Sequence, residues 1–136
     1  MSYHSIFRDD VFKQHVIIIT GGGSGIGRCT AHELASLGAT VILVGRTLEK
    51  LNTVAEEITH DGGTADTFAF DIRDEIAVTE NISAIVAKHG SVHGLVNNAG
   101  GQFPAPLENI SQNGFETVVR TNLVGGFLVA REVFKQ

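Results

Sequence analysis

The chain has 136 residues, of which 43% are apolar, and it carries a formal net charge of −5. This length and apolar content suit one modest globular domain with a buried core. The acidic balance, with no run of Lys or Arg, argues against nucleic acid or an anionic membrane surface as a partner.

The N-terminal segment Met1–Arg8 is too polar for a secretory signal, and no stretch reaches membrane-spanning length. The single cysteine, Cys29, excludes a disulfide or a cysteine metal site within one chain, and we expect its thiol to be buried. The six histidines form no convincing ligand pair, so no metal site is expected. We therefore expect a cytoplasmic protein with no membrane partner.

Short runs of β-branched and apolar residues alternate with helical periodicity along the whole chain. The runs predict strands at Val16–Thr20, Thr40–Gly45, Asp66–Asp71 and Val92–Asn97. Helices are predicted between them, and a last helix covers Gln112–Lys135. This alternation predicts an α/β domain over residues 1–136, with a parallel sheet connected by right-handed crossovers.

A glycine-rich turn follows the first predicted strand and leads into a helix. It covers Thr20–Gly27, in which Gly21, Gly25 and Gly27 can take positive φ and let a diphosphate approach the N–H groups at a helix N-terminus. Such a turn alone also occurs as a purely structural feature and in other nucleotide-binding folds, including methyltransferases.

The spacing T-G-x-x-x-G-x-G resembles the cofactor turn of the short-chain dehydrogenase/reductase family. The resemblance implies a Rossmann-like, doubly wound sheet in the order 3-2-1-4 and a nicotinamide dinucleotide as cofactor. It also implies cofactor contacts from the turn: Thr20, Gly21, Gly23, Ser24, Gly25, Ile26 and Gly27.

Arg46 stands at the end of the second predicted strand, where a site for NAD usually has an Asp or Glu on the ribose 2′-hydroxyl. An Arg at this place accommodates a 2′-phosphate, so we interpret the cofactor as NADP(H). The alternative for Arg46 is a solvated loop cation.

Two further segments match the family's pattern. Asp71 and Ile72 close the third predicted strand, and the resemblance implies that they contact adenine, although Asp71 is also a plausible helix-start residue. Asn97-Asn98-Ala99-Gly100 is similar to the family's N-N-A-G signature, which implies that Asn98, Ala99 and Gly100 line the cofactor ribose across the crevice from the glycine turn.

Asn122 matches the Asn of the family's Asn, Ser, Tyr and Lys tetrad, which implies a role in holding a water of a proton relay. The Ser and the Tyr-x-x-x-Lys motif have no counterpart, since Tyr3 is the only tyrosine. We therefore expect the chain to be the N-terminal part of a longer enzyme, truncated after the fourth helix and inactive alone.

The function implied is hydride transfer between NADP(H) and a carbonyl, alcohol or enoyl substrate, and Phe103 after the signature suggests an acyl thioester. The alternative is a non-catalytic dinucleotide-binding or assembly module. The last helix has too many apolar residues for one buried stripe, so it is expected to pair subunits in a homo-oligomer.

Overall fold

The computed structural model describes residues 5–136, so Tyr3 lies outside the described part of the chain. The strands are β1 (Val16–Thr20), β2 (Thr40–Gly45), β3 (Thr64–Ala69) and β4 (Gly94–Val96). The helices are α1 (Gly25–Ser36), α2 (Leu48–His60), α3 (Glu75–His89), α4 (Gln112–Val119) and α5 (Gly126–Phe134). A short 3₁₀ turn covers Leu107–Asn109.

In the described residues, the strands form one parallel sheet in the order β3-β2-β1-β4. Strands β1 and β2 are confirmed at their predicted bounds, and the predicted α/β fold and strand order are confirmed with them. The predicted third strand was placed two residues too late, and the predicted fourth strand was too long at both ends.

Helices cover both faces of the sheet. Successive side chains of β1 and β2 point to opposite sides, so each strand contributes to the packing on both faces. Ile18 and Ile42 pack on one side with helices α3 and α5. Ile19 and Leu43 pack on the other side with α1 and α2. All four side chains are fully buried, which explains why these two strands have continuous apolar sequences.

The last predicted helix is not regular along its length. A π-helical turn, Arg120–Gly125, joins α4 to α5. Such turns insert one residue into the hydrogen-bond ladder and often lie at functional sites. The single regular helix expected over Gln112–Lys135 is therefore wrong in its middle turn.

The expectation of a buried Cys29 is also wrong, because the residue is exposed. Helix α1 buries Gly27, Ala31 and Ala35, which recur every four residues. Cys29 is two residues from Gly27 and from Ala31, which places it on the opposite face of the helix.

Candidate functional site

A cavity of about 560 Å³ opens at the carboxyl ends of the strands, where ligands bind in open α/β sheets. It is lined by most of the residues that the sequence predicted: Gly21, Gly23, Ser24, Gly25, Ile26, Arg46, Asp71, Ile72, Asn98, Ala99 and Gly100. Thr20, Gly27 and Asn122 do not line it. The structure thus brings eleven of the fourteen predicted residues to one cavity.

The glycine turn needs its glycines for two different reasons. Gly21 and Gly25 have φ of +70° and +53°, a region that L residues rarely adopt. Gly27 does not take positive φ, so that part of the expectation is wrong. A Cβ on Gly27 would instead lie 2.2 Å from the carbonyl oxygen of Gly21 and 2.7 Å from Nδ2 of Asn98. The absence of a side chain at Gly27 therefore permits close packing of the helix start against β1 and the β4 loop.

Helix α1 presents free donors to the cavity. Its N-cap residue, Ser24, makes no side-chain capping bond. Within residues 5–136, the N–H groups of Gly25 and Ile26 have no acceptor, since they belong to the first turn of the helix. These donors and the positive end of the helix dipole favour an anion such as a diphosphate at this end of α1.

Thr20 is fully buried and acts on the cavity through its neighbours. Its Oγ1 accepts hydrogen bonds from the N–H groups of Asn98 and Ala99, each at 2.9 Å. The Nδ2 group of Asn98 donates to the carbonyl oxygen of Thr20, also at 2.9 Å. Thr20 therefore fixes the loop after β4 against the end of β1 and sets the position of the cavity wall.

The end of the cavity near β2 and β3 carries charged groups. Arg46 is exposed and, within residues 5–136, makes no hydrogen bond or ion pair. The Asp71 carboxylate accepts from Nη2 of Arg73 at 2.6 Å, from Nε of Arg73 at 3.0 and 3.1 Å, and from the Arg73 N–H at 2.9 Å.

These side-chain hydrogen bonds from Arg73 hold the pKa of Asp71 below its ordinary value, against the opposing effect of burial. The positive charges of Arg73 and Arg46 act in the same direction. Asp71 does not cap α3, because Asp74 accepts from the N–H groups of Ile76 and Ala77. Sequence reasoning missed Arg73, although an Arg two residues after an Asp at a strand end is a usable signal.

Asn122 lies in the π-helical turn, and its side chain is committed to the loop after β4. Its Oδ1 accepts from the Gly101 N–H at 2.8 Å, and its Nδ2 donates to the Gly101 carbonyl oxygen at 3.0 Å. A second tie comes from Asn97, whose Nδ2 donates to the carbonyl oxygen of Gly126 at 2.7 Å. These bonds join the loop to the π-helical turn and the start of α5.

The opposite end of the cavity is lined by an aromatic ring and by helix α4. Phe103 lines this end together with Thr117 and Val118. A Cβ on Gly114 would lie 3.0 Å from the Phe103 ring, so the glycine lets the ring rest on the first turns of α4. Gly114 was not recognised from the sequence, because a glycine within a helix carries no signal of its partner.

Comparison with known proteins agrees with this geometry. Residues 15–136 match the family model described as short chain dehydrogenase. A probable 2,4-dienoyl-CoA reductase of Caenorhabditis elegans is 40% identical over 133 residues, which are 96% of this chain and 43% of that protein.

Two solved structures are also similar. Citronellol catabolism dehydrogenase of Pseudomonas aeruginosa PAO1 is 63% identical with a TM-score of 0.94, and the match covers 98% of this chain and 55% of that one. A metagenomic short-chain oxidoreductase in complex with NADP is 35% identical with a TM-score of 0.85, covering 91% of this chain and 57% of that one. The chain thus spans about half the length of the proteins that it matches.

Proposed function

Because the chain belongs to the short-chain dehydrogenase family, we propose that it is the cofactor-binding part of an NADP(H)-dependent oxidoreductase. The observation that carries the proposal is Arg46, an exposed cation at the end of β2 that lines the cavity and has no ion-pair partner within residues 5–136. A guanidinium in this place suits a 2′-phosphate. The related structure in complex with NADP supports the same choice.

The residues of the cavity fit such a dinucleotide. The free N–H groups of Gly25 and Ile26 are suited to the diphosphate, and a Cβ on Gly25 would meet nothing within 4 Å, so the approach to the turn is open. Asp71, fixed by Arg73, would face the adenine amino group. The wall of Asn98, Ala99 and Gly100 would lie beside the ribose. When bound, NADP(H) supplies or accepts a hydride.

The substrate class proposed is a small molecule with a carbonyl, an alcohol or a conjugated double bond. An enoyl thioester is favoured, since Phe103 lines the cavity and a relative is named as a 2,4-dienoyl-CoA reductase. We also propose that Asn122 holds a water of the proton relay in the whole enzyme. Residues 1–136 alone are expected to show no turnover, because no Ser and Tyr-x-x-x-Lys set is present in this sequence.

A homo-oligomer is proposed on the exposed apolar residues of the last helical segment. Leu123 and Phe127 are 68% and 57% exposed, although both are large apolar side chains. Such a face is typical of a subunit interface.

Cofactor choice is tested by binding of NADPH and NADH to the native chain and to Arg46→Ala. A charge-assisted phosphate contact is worth about 1.5 to 3 kcal/mol, so the native chain should bind NADPH more tightly than NADH by roughly ten- to a hundredfold. Arg46→Ala should lose most of this preference. Arg8→Ala is the matched control, because Arg8 is exposed and does not line the cavity.

Equal affinity of the native chain for NADPH and NADH by calorimetry would contradict the NADP assignment. Binding of neither nucleotide, with the fold intact by circular dichroism, would contradict the proposed dinucleotide site. Binding of NADPH without any activity of the whole protein would favour a non-catalytic module.

A further inference from the structure

Besides Arg46, the cavity is lined by a second cation that is unpaired in the described part of the chain, and neither the sequence motifs nor the family assignment identifies it. Lys50 lies in the first turn of α2 and lines the same cavity. Its Cβ is 3.1 Å from the position that a Cβ on Gly23 would occupy, so its stem lies over the glycine turn. Within residues 5–136, Lys50 makes no hydrogen bond or ion pair.

Lys50 also stands where local helix energetics do not favour a cation. Thr47 is the N-cap of α2, so Lys50 is the third helical residue, the position at which a capping box has Glu or Gln. The Thr47 side chain makes no capping bond either. A positive charge in the first turn also opposes the helix dipole, at a cost of a few tenths of a kcal/mol. Violations of local rules of this kind are expected at functional positions.

The charges around this end of the cavity do not satisfy Lys50. Asp71 is the carboxylate that lines this end, and its oxygens accept the hydrogen bonds of Arg73. Among the described residues, the lining of the cavity thus holds three cations, Arg46, Lys50 and Arg73, and the paired carboxylate of Asp71, which leaves it with a positive excess. An anion of charge near −2 is the group that would neutralise it.

We propose that Lys50 is a specificity-determining residue that, together with Arg46, binds the 2′-phosphate of the adenine dinucleotide. The inference rests on the proposed cofactor site and adds a residue to it. Arg46 immediately precedes the N-cap of α2 and Lys50 lies in its first turn, so the two cations flank one point at the start of this helix. The diphosphate donors belong to a different helix, α1.

The test compares two small probes that differ only in the 2′-phosphate, adenosine 2′,5′-bisphosphate and adenosine 5′-monophosphate. Their affinities for the 136-residue chain are measured by calorimetry for native protein, Lys50→Gln, Arg46→Ala and the double variant, with Arg8→Ala as the control for net charge. Thermal unfolding of each variant, followed by circular dichroism, confirms that the variants are folded at the temperature used.

Lys50→Gln should lower the affinity for the bisphosphate by about three- to tenfold and leave that for the monophosphate within about twofold, as expected for one partly exposed charge pair. Added salt should reduce this difference. If the ratio of the two affinities is the same in Lys50→Gln as in native protein and the monophosphate still binds, the role of Lys50 is overturned but the dinucleotide site is not. An equal loss for both probes would assign Lys50 to the 5′-phosphate and also overturn it. No binding of either probe to native chain would refute the dinucleotide site itself.

Discussion

The hydroxyl group of Thr20 offers a direct test of how the cavity wall is held. Thr20→Val keeps the shape and the β-branch of the side chain but removes the acceptor of two N–H groups. The Asn98 N–H also reaches the carbonyl oxygen of Val96 at 3.0 Å, so it keeps a partner. The Ala99 N–H has no such second acceptor within residues 5–136 and is left unsatisfied.

The Ala99 N–H is only partly buried and water can replace part of the lost bond, so the free energy of unfolding should fall by about 1 to 2 kcal/mol in Thr20→Val, the lower part of the range for an unsatisfied donor. Thr20→Ser is the matched control, because it keeps the hydroxyl and loses one methyl group, which is worth roughly 1 kcal/mol. Hydrogen exchange should show faster exchange of the Ala99 amide in Thr20→Val than in Thr20→Ser. Denaturation by urea measures the stability of both.

A Thr20→Val variant as stable as native chain would refute the reasoning. So would a Thr20→Ser variant that loses as much stability as Thr20→Val and exchanges the Ala99 amide as fast. Either result would mean that the hydrogen bonds to the Thr20 hydroxyl do not hold the β4 loop.

Two further predictions concern stability and assembly. Asp66 is desolvated, which raises its pKa, but hydrogen bonds from Lys88 and His89 outweigh this and hold the pKa below its ordinary value of 3.8. Its contribution to stability is therefore present above about pH 4 and is lost as the pH falls through the lower folded pKa. In a plot of the unfolding free energy against pH, Asp66→Asn should make the loss of stability at acid pH less steep. Asp61→Asn should not, because Asp61 takes no part in these ion pairs. An unchanged acid dependence in Asp66→Asn would show that the ion pairs of Asp66 contribute nothing to stability. If the exposed helical face pairs subunits, Phe127→Glu should reduce the mass measured by sedimentation. Phe7→Glu should not, because Phe7 is similarly exposed but lies outside this helix. A monomeric native chain at micromolar concentration would count against the interface.

The central part of the fold was predictable because its residues obey one simple rule. Strands β1 and β2 are buried on both faces, so each is a continuous apolar run with clear ends. Strand β3 lies at an edge of the sheet and is only partly buried, so its apolar pattern is weak and its bounds were misplaced by two residues.

Strand β4 is shorter than predicted because the flanking residues have other partners. The His93 N–H donates to the Val16 carbonyl oxygen at 2.8 Å, but the Val16 N–H donates to Nδ1 of the His93 side chain instead of to a backbone oxygen, so the regular ladder stops there. At the other end of β4, the side chain of Asn97 donates to Gly126. Such long-range side-chain bonds have no sequence signal.

The candidate site was predictable in its location but less so in what its side chains do. The glycine turn, Arg46 and Asp71 reach the cavity because parallel strands end at one edge of the sheet. The motif could not show that the Thr20 hydroxyl accepts a hydrogen bond from the Ala99 N–H, or that Arg73 already donates hydrogen bonds to the carboxylate of Asp71. Both facts depend on three-dimensional partners, and the π-helical turn around Asn122 likewise follows from no local propensity.

The position of β4 in the chain has a consequence for the order in which the sheet is built. Val16 pairs with Thr40, only about 24 positions later, whereas its hydrogen bond to His93 spans 77 positions. Closing the longer loop costs about 1 kcal/mol more in chain entropy, and a strand of three half-buried residues offers little apolar burial in return. The neighbouring strands can thus form a ladder before β4 joins them, and the wall that carries Asn98 and Ala99 is completed last. A ligand held between α1 and the β4 loop would therefore stabilise a contact that few apolar residues of β4 support.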